Sequence, residues 1–191
     1  MSYVLEFISS VKKEFDYYKL LGEKAIEQLD DDQIKWQYNE ESNSVAILVK
    51  HMWGNMLSRW TDFLTTDGEK EWRNRDAEFV NDIRDKKELL QKWEAGWQCL
   101  FHALDTINDE NFETIVYIRN EGHTVMEAIL RQQSHYIYHV GQIVSLGKMI
   151  CGKAWKPLSI PRGASVCFNK NKFSQPHRMA HFTDEVLHKK G

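Results

Sequence analysis

Four stretches of this chain repeat an apolar side chain every three to four residues, and no proline falls before position 157. That spacing gathers apolar residues on one face of an α-helix, whereas a strand would need strict alternation. The first stretch, about Tyr3 to Leu29, carries Val4, Ile8, Val11, Phe15, Tyr18, Ala25, Ile26 and Leu29. Gly22 interrupts it at about 1 kcal/mol relative to alanine, which points to close packing there. Asp30-Asp31-Asp32 ends this helix, and a polar connector follows through Asn43, with Trp36 and Tyr38 expected to cover one end of the core.

Ser42, Asn43 and Ser44 offer alternative N-caps for the second helix, predicted to reach Thr65 or Thr66. Ile47, Leu48, His51, Met52, Asn55, Leu57 and Trp60 are available for its inner face. The third spans about Lys86 to Ile107, with Leu89, Trp93, Trp97, Leu100, Phe101 and Leu104 in register. Thr124-Val125-Met126-Glu127 opens the fourth with a capping-box pattern, and its stripe runs through Val125, Ile129, Tyr136, Val140, Ile143 and Ile150.

The breaks are informative too. Residues 66–84 are charged and lack helical period, a connector long enough to run the length of a helix and leave two successive helices parallel. Residues 108–123 suggest a strand-like turn around Ile115 and Tyr117. Beyond Cys151, Gly152, Pro157, Pro161, Gly163 and Pro176 break any long helix, although 177–189 could form a short one. The expected fold class is therefore all-α: four long helices in residues 1–151 and an irregular basic tail, 152–191, packing over them.

At 191 residues, with a 42% hydrophobic fraction that includes seven Trp, the chain can bury the core of one domain. Its net charge of −3 argues against nucleic acid as a partner. That near-neutrality hides an asymmetry: residues 148–191 hold nine Lys or Arg against two acids, +7, which leaves −10 for residues 1–147. The tail is expected to neutralise the acidic part, within a protomer or across a homodimer. Cys99, Cys151 and Cys167 have no paired spacing, so disulfides are not expected. No leader is apparent and no apolar run reaches about 18 residues, so the expectation is a cytoplasmic protein without a membrane partner.

Chemistry concentrates in eight histidines. His135 and His139 stand four apart on the fourth helix, bordering its apolar stripe, where two imidazoles can share one divalent metal. Two histidines hydrogen-bonded at a core boundary explain that pair equally well. His177 and His181 repeat the spacing in the proline-bounded tail, where ordinary surface residues are expected, as also for His102, His123 and His188. His51 lies among apolar neighbours on the second helix. If the second and fourth helices are adjacent, His51, His135 and His139 converge into a three-imidazole set that holds Zn, Ni or Fe with positions left open.

The segments Val49-Lys50-His51-Met52, residues 59–70, Trp72-Arg73-Asn74-Arg75-Asp76, His135 to Gln142 and Leu158 to Gly163 together resemble an uncharacterised branch of the DinB-like (YfiT-like) metalloenzyme superfamily, over about residues 5–169. The resemblance implies an up-down-down-up four-helix bundle and metal ligation by His51, His135 and His139. Some members of the superfamily transfer low-molecular-weight thiols, which makes such a thiol a candidate substrate. A metal-activated water would give a hydrolase instead, and a dimeric binding protein with a structural or vestigial metal site is the non-catalytic alternative.

Asn55, Arg59 and Gln142 follow the histidines at +4, +8 and +3 and are candidates to line a pocket there, or else to hydrogen-bond behind it. No spacing nominates a general base. Arg73, Arg75 and Asp76 suit either an anion site or, preferably, a salt-bridged loop. Trp93 and Trp97 read as a core pair, and Cys151 and Cys167 as incidental thiols.

Overall fold

The structure, a computed structural model, describes residues 2–187. It is predominantly helical. Helices α1 (Tyr3–Glu27), α2 (Val45–Trp60), α3 (Lys86–Asp105) and α4 (Val125–Cys151) share one hydrophobic core. α1 packs on α4 and α3, and α2 packs on α3 and α4. None of the helices among the described residues is long and apolar enough to cross a membrane.

The helix starts follow from capping chemistry. Of the three candidates ahead of α2, Ser44 is the cap: its hydroxyl accepts from Ile47 N at 3.1 Å and donates to Asn81 Oδ1 at 3.0 Å. Asp85 caps α3, and Thr124 with Glu127 forms a complete capping box on α4. Gly22 meets the packing expectation, because a Cβ there would lie 2.5 Å from the Trp93 indole. Trp93 and Trp97 are both core residues, with ring centroids 5.5 Å apart.

Aromatic side chains set the helix register. Phe15 of α1, Trp97 of α3 and Tyr136 of α4 meet with centroids 5.9 to 6.1 Å apart. The Tyr136 hydroxyl accepts from Trp60 Nε1 at 3.0 Å and donates to Asn55 Oδ1 at 2.9 Å, both on α2. Tyr136 therefore fixes α4 against α2 one residue beyond His135.

Several expectations are corrected. α2 stops at Trp60 instead of Thr65 or Thr66, because Thr61 is extended and Asp62 takes φ +48°. Left-handed backbone ends a right-handed helix, and aspartate is among the few residues that tolerate it. Trp36 and Tyr38 are exposed rather than capping the core. The short 3₁₀ turn Gln33–Lys35 buries Ile34 in their place. The fold is not purely α: β1 (Ile115–Ile118) and β2 (Glu121–Thr124) pair antiparallel as a hairpin. Arg119 and Asn120 turn it with φ +57° and +61°, and their amides donate to the two Asp67 carboxylate oxygens at 2.8 Å each. The tail is less irregular than expected, with helices α5 (Ser165–Phe173) and α6 (Asp184–Leu187). Lys13 of α1 pairs with Asp184 at 2.8 Å, which brings α6 against α1.

Candidate metal centre

His51 sits midway along α2, and His135 and His139 face it from α4. His51 and His139 are buried, 5% and 8% exposed, and His135 is half-buried. His135 Nε2 lies 3.3 Å from His51 Nε2 and 2.9 Å from His139 Nε2. Among the described residues these three side chains form a cluster that could hold a metal ion, with one nitrogen from each within 4.8 Å of the others.

The outer nitrogens are held from behind. Glu78, on the 3₁₀ turn Asp76–Phe79, comes within 2.9 Å of His51 Nδ1. Arg73 grips the same carboxylate through Nε to Oε1 at 2.8 Å and Nη2 to Oε2 at 3.0 Å. Burial works against ionisation of Glu78, yet its hydrogen bonds to His51 and Arg73 hold the carboxyl below the usual range. An ionised Glu78 can only accept, so His51 carries its proton on Nδ1 and turns the Nε2 lone pair toward His135. On His139, Nδ1 lies 2.8 Å from Gln142 Oε1, an acceptor that fixes the same tautomer. Gln142 in turn donates to the Tyr138 hydroxyl at 3.1 Å.

This donor set suits a divalent metal. Two lone pairs face His135 Nε2, and a neutral imidazole has at most one proton there to offer them. Burial, with the charges of the other histidines and of Arg59 and Arg73, pushes His135 down to about 3. Burial and His51 also lower His139. Neutral imidazoles are the ligating form. Two nitrogens on one tetrahedral zinc stand about 3.3 Å apart at ordinary bond lengths, close to the two spacings at His135, 3.3 and 2.9 Å.

A cavity of about 260 Å³ opens beside His51 and His135. Asn55 and Arg59 line it, whereas Gln142 is not in its lining and stands behind His139. Arg73 and Arg75, from the loop cluster, reach the cavity as well, but Asp76 is not among its lining residues. His177 and His181 lie on non-helical backbone, and His181 bonds to Thr183 and Ser10. His188 lies outside the described residues.

Sequence reasoning missed Glu78. A signal existed in Gly54, three residues beyond His51: a Cβ there would lie 2.3 Å from Glu78 Oε1. A glycine next to a buried helical histidine marks where another segment presses against the helix.

No solved structure matches this chain. A family described as a protein of unknown function (DUF1572) matches residues 2–164, a span that holds all three histidines, Glu78 and the cavity-lining arginines, and the chain belongs to that family.

Proposed function

We propose that this chain is a metal-dependent enzyme of the DinB-like (YfiT-like) superfamily, acting on a small molecule in the cavity beside His51 and His135. In this reading α1 to α4 form an up-down-down-up bundle and the described part of the tail, residues 152–187, packs over it. The observation that carries it is the convergence of three imidazoles, one ring nitrogen of each lying within 4.8 Å of the others. Outward hydrogen bonds to Glu78 and Gln142 support an inward-facing Nε2 lone pair on His51 and His139.

A bound Zn, Ni or Fe ion would act as a Lewis acid toward a water or a small thiol, giving hydrolysis or S-transfer. The protein's own residues orient and enclose. Glu78, neutralised by Arg73, keeps His51 in one tautomer, and its engagement there leaves it unsuited to act as a free base. Asn55, held by Tyr136, presents a fixed polar edge to the cavity. A volume of about 260 Å³ suits a small molecule. Free Cys99, Cys151 and Cys167 support a reducing compartment, and exposed Val166, Phe173 and Met179 support a homodimer.

Elemental analysis of untagged protein grown in metal-supplemented medium tests this reading. The expected result is about one ion per chain, falling below about 0.1 in His139→Ala with the helical circular dichroism retained. Wild-type protein holding less than about 0.1 ion per chain would sink it. Model electrophiles, offered with and without physiological thiols, then separate S-transfer from hydrolysis.

A further inference from the structure

Five arginines line the cavity beside the histidines. Arg59 comes from α2, Arg73 and Arg75 from the long connector, Arg119 from the hairpin turn and Arg131 from α4. The side chains of Arg59 and Arg73 are only 6% and 2% exposed, and the other three residues are exposed. Buried guanidiniums thus form the floor and exposed ones the rim.

Their charge is not balanced locally. The carboxylates in ion-pair reach are Glu69, which meets Arg59, Arg73 and Arg119, and Glu78, which meets Arg73. Arg75 lies over the Phe79 ring at 4.9 Å, and Arg131 Nη1 stands 3.1 Å from His123 Nε2. Neither has a carboxylate partner among the described residues. Five guanidiniums thus have two carboxylates in direct ion pairs, and with Asp67, whose charge also acts on Arg59, the positive charges still outnumber the negative ones. Structure alone explains part of this, since Glu69 ties the connector and the hairpin to α2 through three arginines. It does not explain why Arg75 and Arg131 face the same space.

Two residues of the lining also carry a buried polar atom without a hydrogen-bond partner, and both border a small apolar pocket beside Trp60, Phe63 and Val116 as well. Arg59, 7% exposed, has an unpaired Nε, and Gln132, 3% exposed, has an unpaired amide oxygen. A buried polar group of this kind is completed by a water, an ion or a ligand, and beside five arginines an anion is one such partner. The amide of Gln132 can accept from a hydroxyl or, turned over, donate to an anion.

We propose that the cavity binds the phosphoryl dianion of a small phosphate monoester, held by Arg59, Arg75 and Arg131. A tetrahedral dianion takes donors from several directions, as this lining supplies them, whereas one planar carboxylate is satisfied by a single guanidinium fork. The substrate class rests on the metal reading only for its reacting end, which would lie toward His51 and His135.

Calorimetric titration of the full chain with inorganic phosphate tests this, on chelator-treated and on metal-loaded protein. Succinate and acetate serve as competing anions. Phosphate is expected to bind the chelator-treated protein roughly tenfold or more tightly than either carboxylate. The Arg75→Gln, Arg131→Gln double variant, changed only at exposed positions, is expected to lose roughly tenfold or more in phosphate affinity. Its metal content and melting temperature should stay at wild-type values. No phosphate binding to the chelator-treated protein, or binding that the double substitution leaves unchanged, overturns the anion site. Tighter binding of succinate overturns the phosphoryl assignment. Metal content of His135→Ala reads the other proposal separately: a variant that keeps its metal breaks the ligand set without touching the phosphate result.

Discussion

Glu78 Oε2 accepts the Nδ1 proton of His51 at 2.9 Å, joining a connector residue to a helix residue 27 positions earlier. Both side chains are almost fully buried, and Arg73 closes the group from the other side. The connector is therefore part of the candidate metal centre, and its length serves to bring a carboxylate behind an imidazole.

Replacing that carboxylate should separate two effects. Glu78→Gln keeps the size but replaces a charged acceptor, which raises the basicity of His51, by a weaker neutral one, so metal affinity should fall roughly 10–100-fold in chelator competition. Glu78→Ala also leaves the buried Arg73 guanidinium with only the longer Glu69 contact at 3.4 Å and should reduce unfolding stability by about 3 kcal/mol in urea titration. Unchanged metal affinity in Glu78→Gln would show that the pair has no part in ligation.

Gly54→Ala tests the same contact from the helix side. Alanine favours helix by about 1 kcal/mol over glycine, so propensity alone predicts stabilisation. The added Cβ would lie 2.3 Å from Glu78 Oε1, and the carboxylate has to move. Lower metal affinity without a gain in melting temperature is the expected outcome.

Tyr136→Phe removes one hydroxyl and orphans two buried groups, Trp60 Nε1 and Asn55 Oδ1. Each unsatisfied buried polar group costs about 1–3 kcal/mol, so a stability loss in that range or above is expected. Because Tyr136 sets α4 against α2, metal affinity should fall alongside it. A loss of stability with metal binding intact would assign Tyr136 to the core alone.

The hairpin carries a pH dependence. Burial acts to raise the Asp67 carboxyl, but amide hydrogen bonds from Asn120, Glu69 and Arg119 outweigh it and hold it below the usual range. A depressed folded value means that the contribution is fully present above the unfolded value, near about 3.9, and is lost as pH falls through the folded one. Asp67→Asn should therefore be less stable than wild type at pH 7. The gap in urea midpoint should close as both are titrated to acid below about pH 4. A gap that stays constant with pH would mean that the charge of Asp67 contributes nothing.

What was legible in advance was local. The 3–4 spacing of Ile8, Val11 and Phe15, the Trp93 and Trp97 pair and the Thr124–Glu127 capping box depend on neighbours within one or two turns, so α1, α3 and the start of α4 could be read from the residues alone. The same periodicity brings His135 and His139 to one face. It overran at α2, because an apolar stripe carries no record of the positive φ at Asp62.

The rest was decided by tertiary structure. His51 joins the pair on α4 only because α2 packs there, 84 residues away in sequence from His135. Glu78 and the five arginines come from helices, connector and hairpin. Their chemistry arises when long loops close, and no local spacing encodes which loop ends will meet.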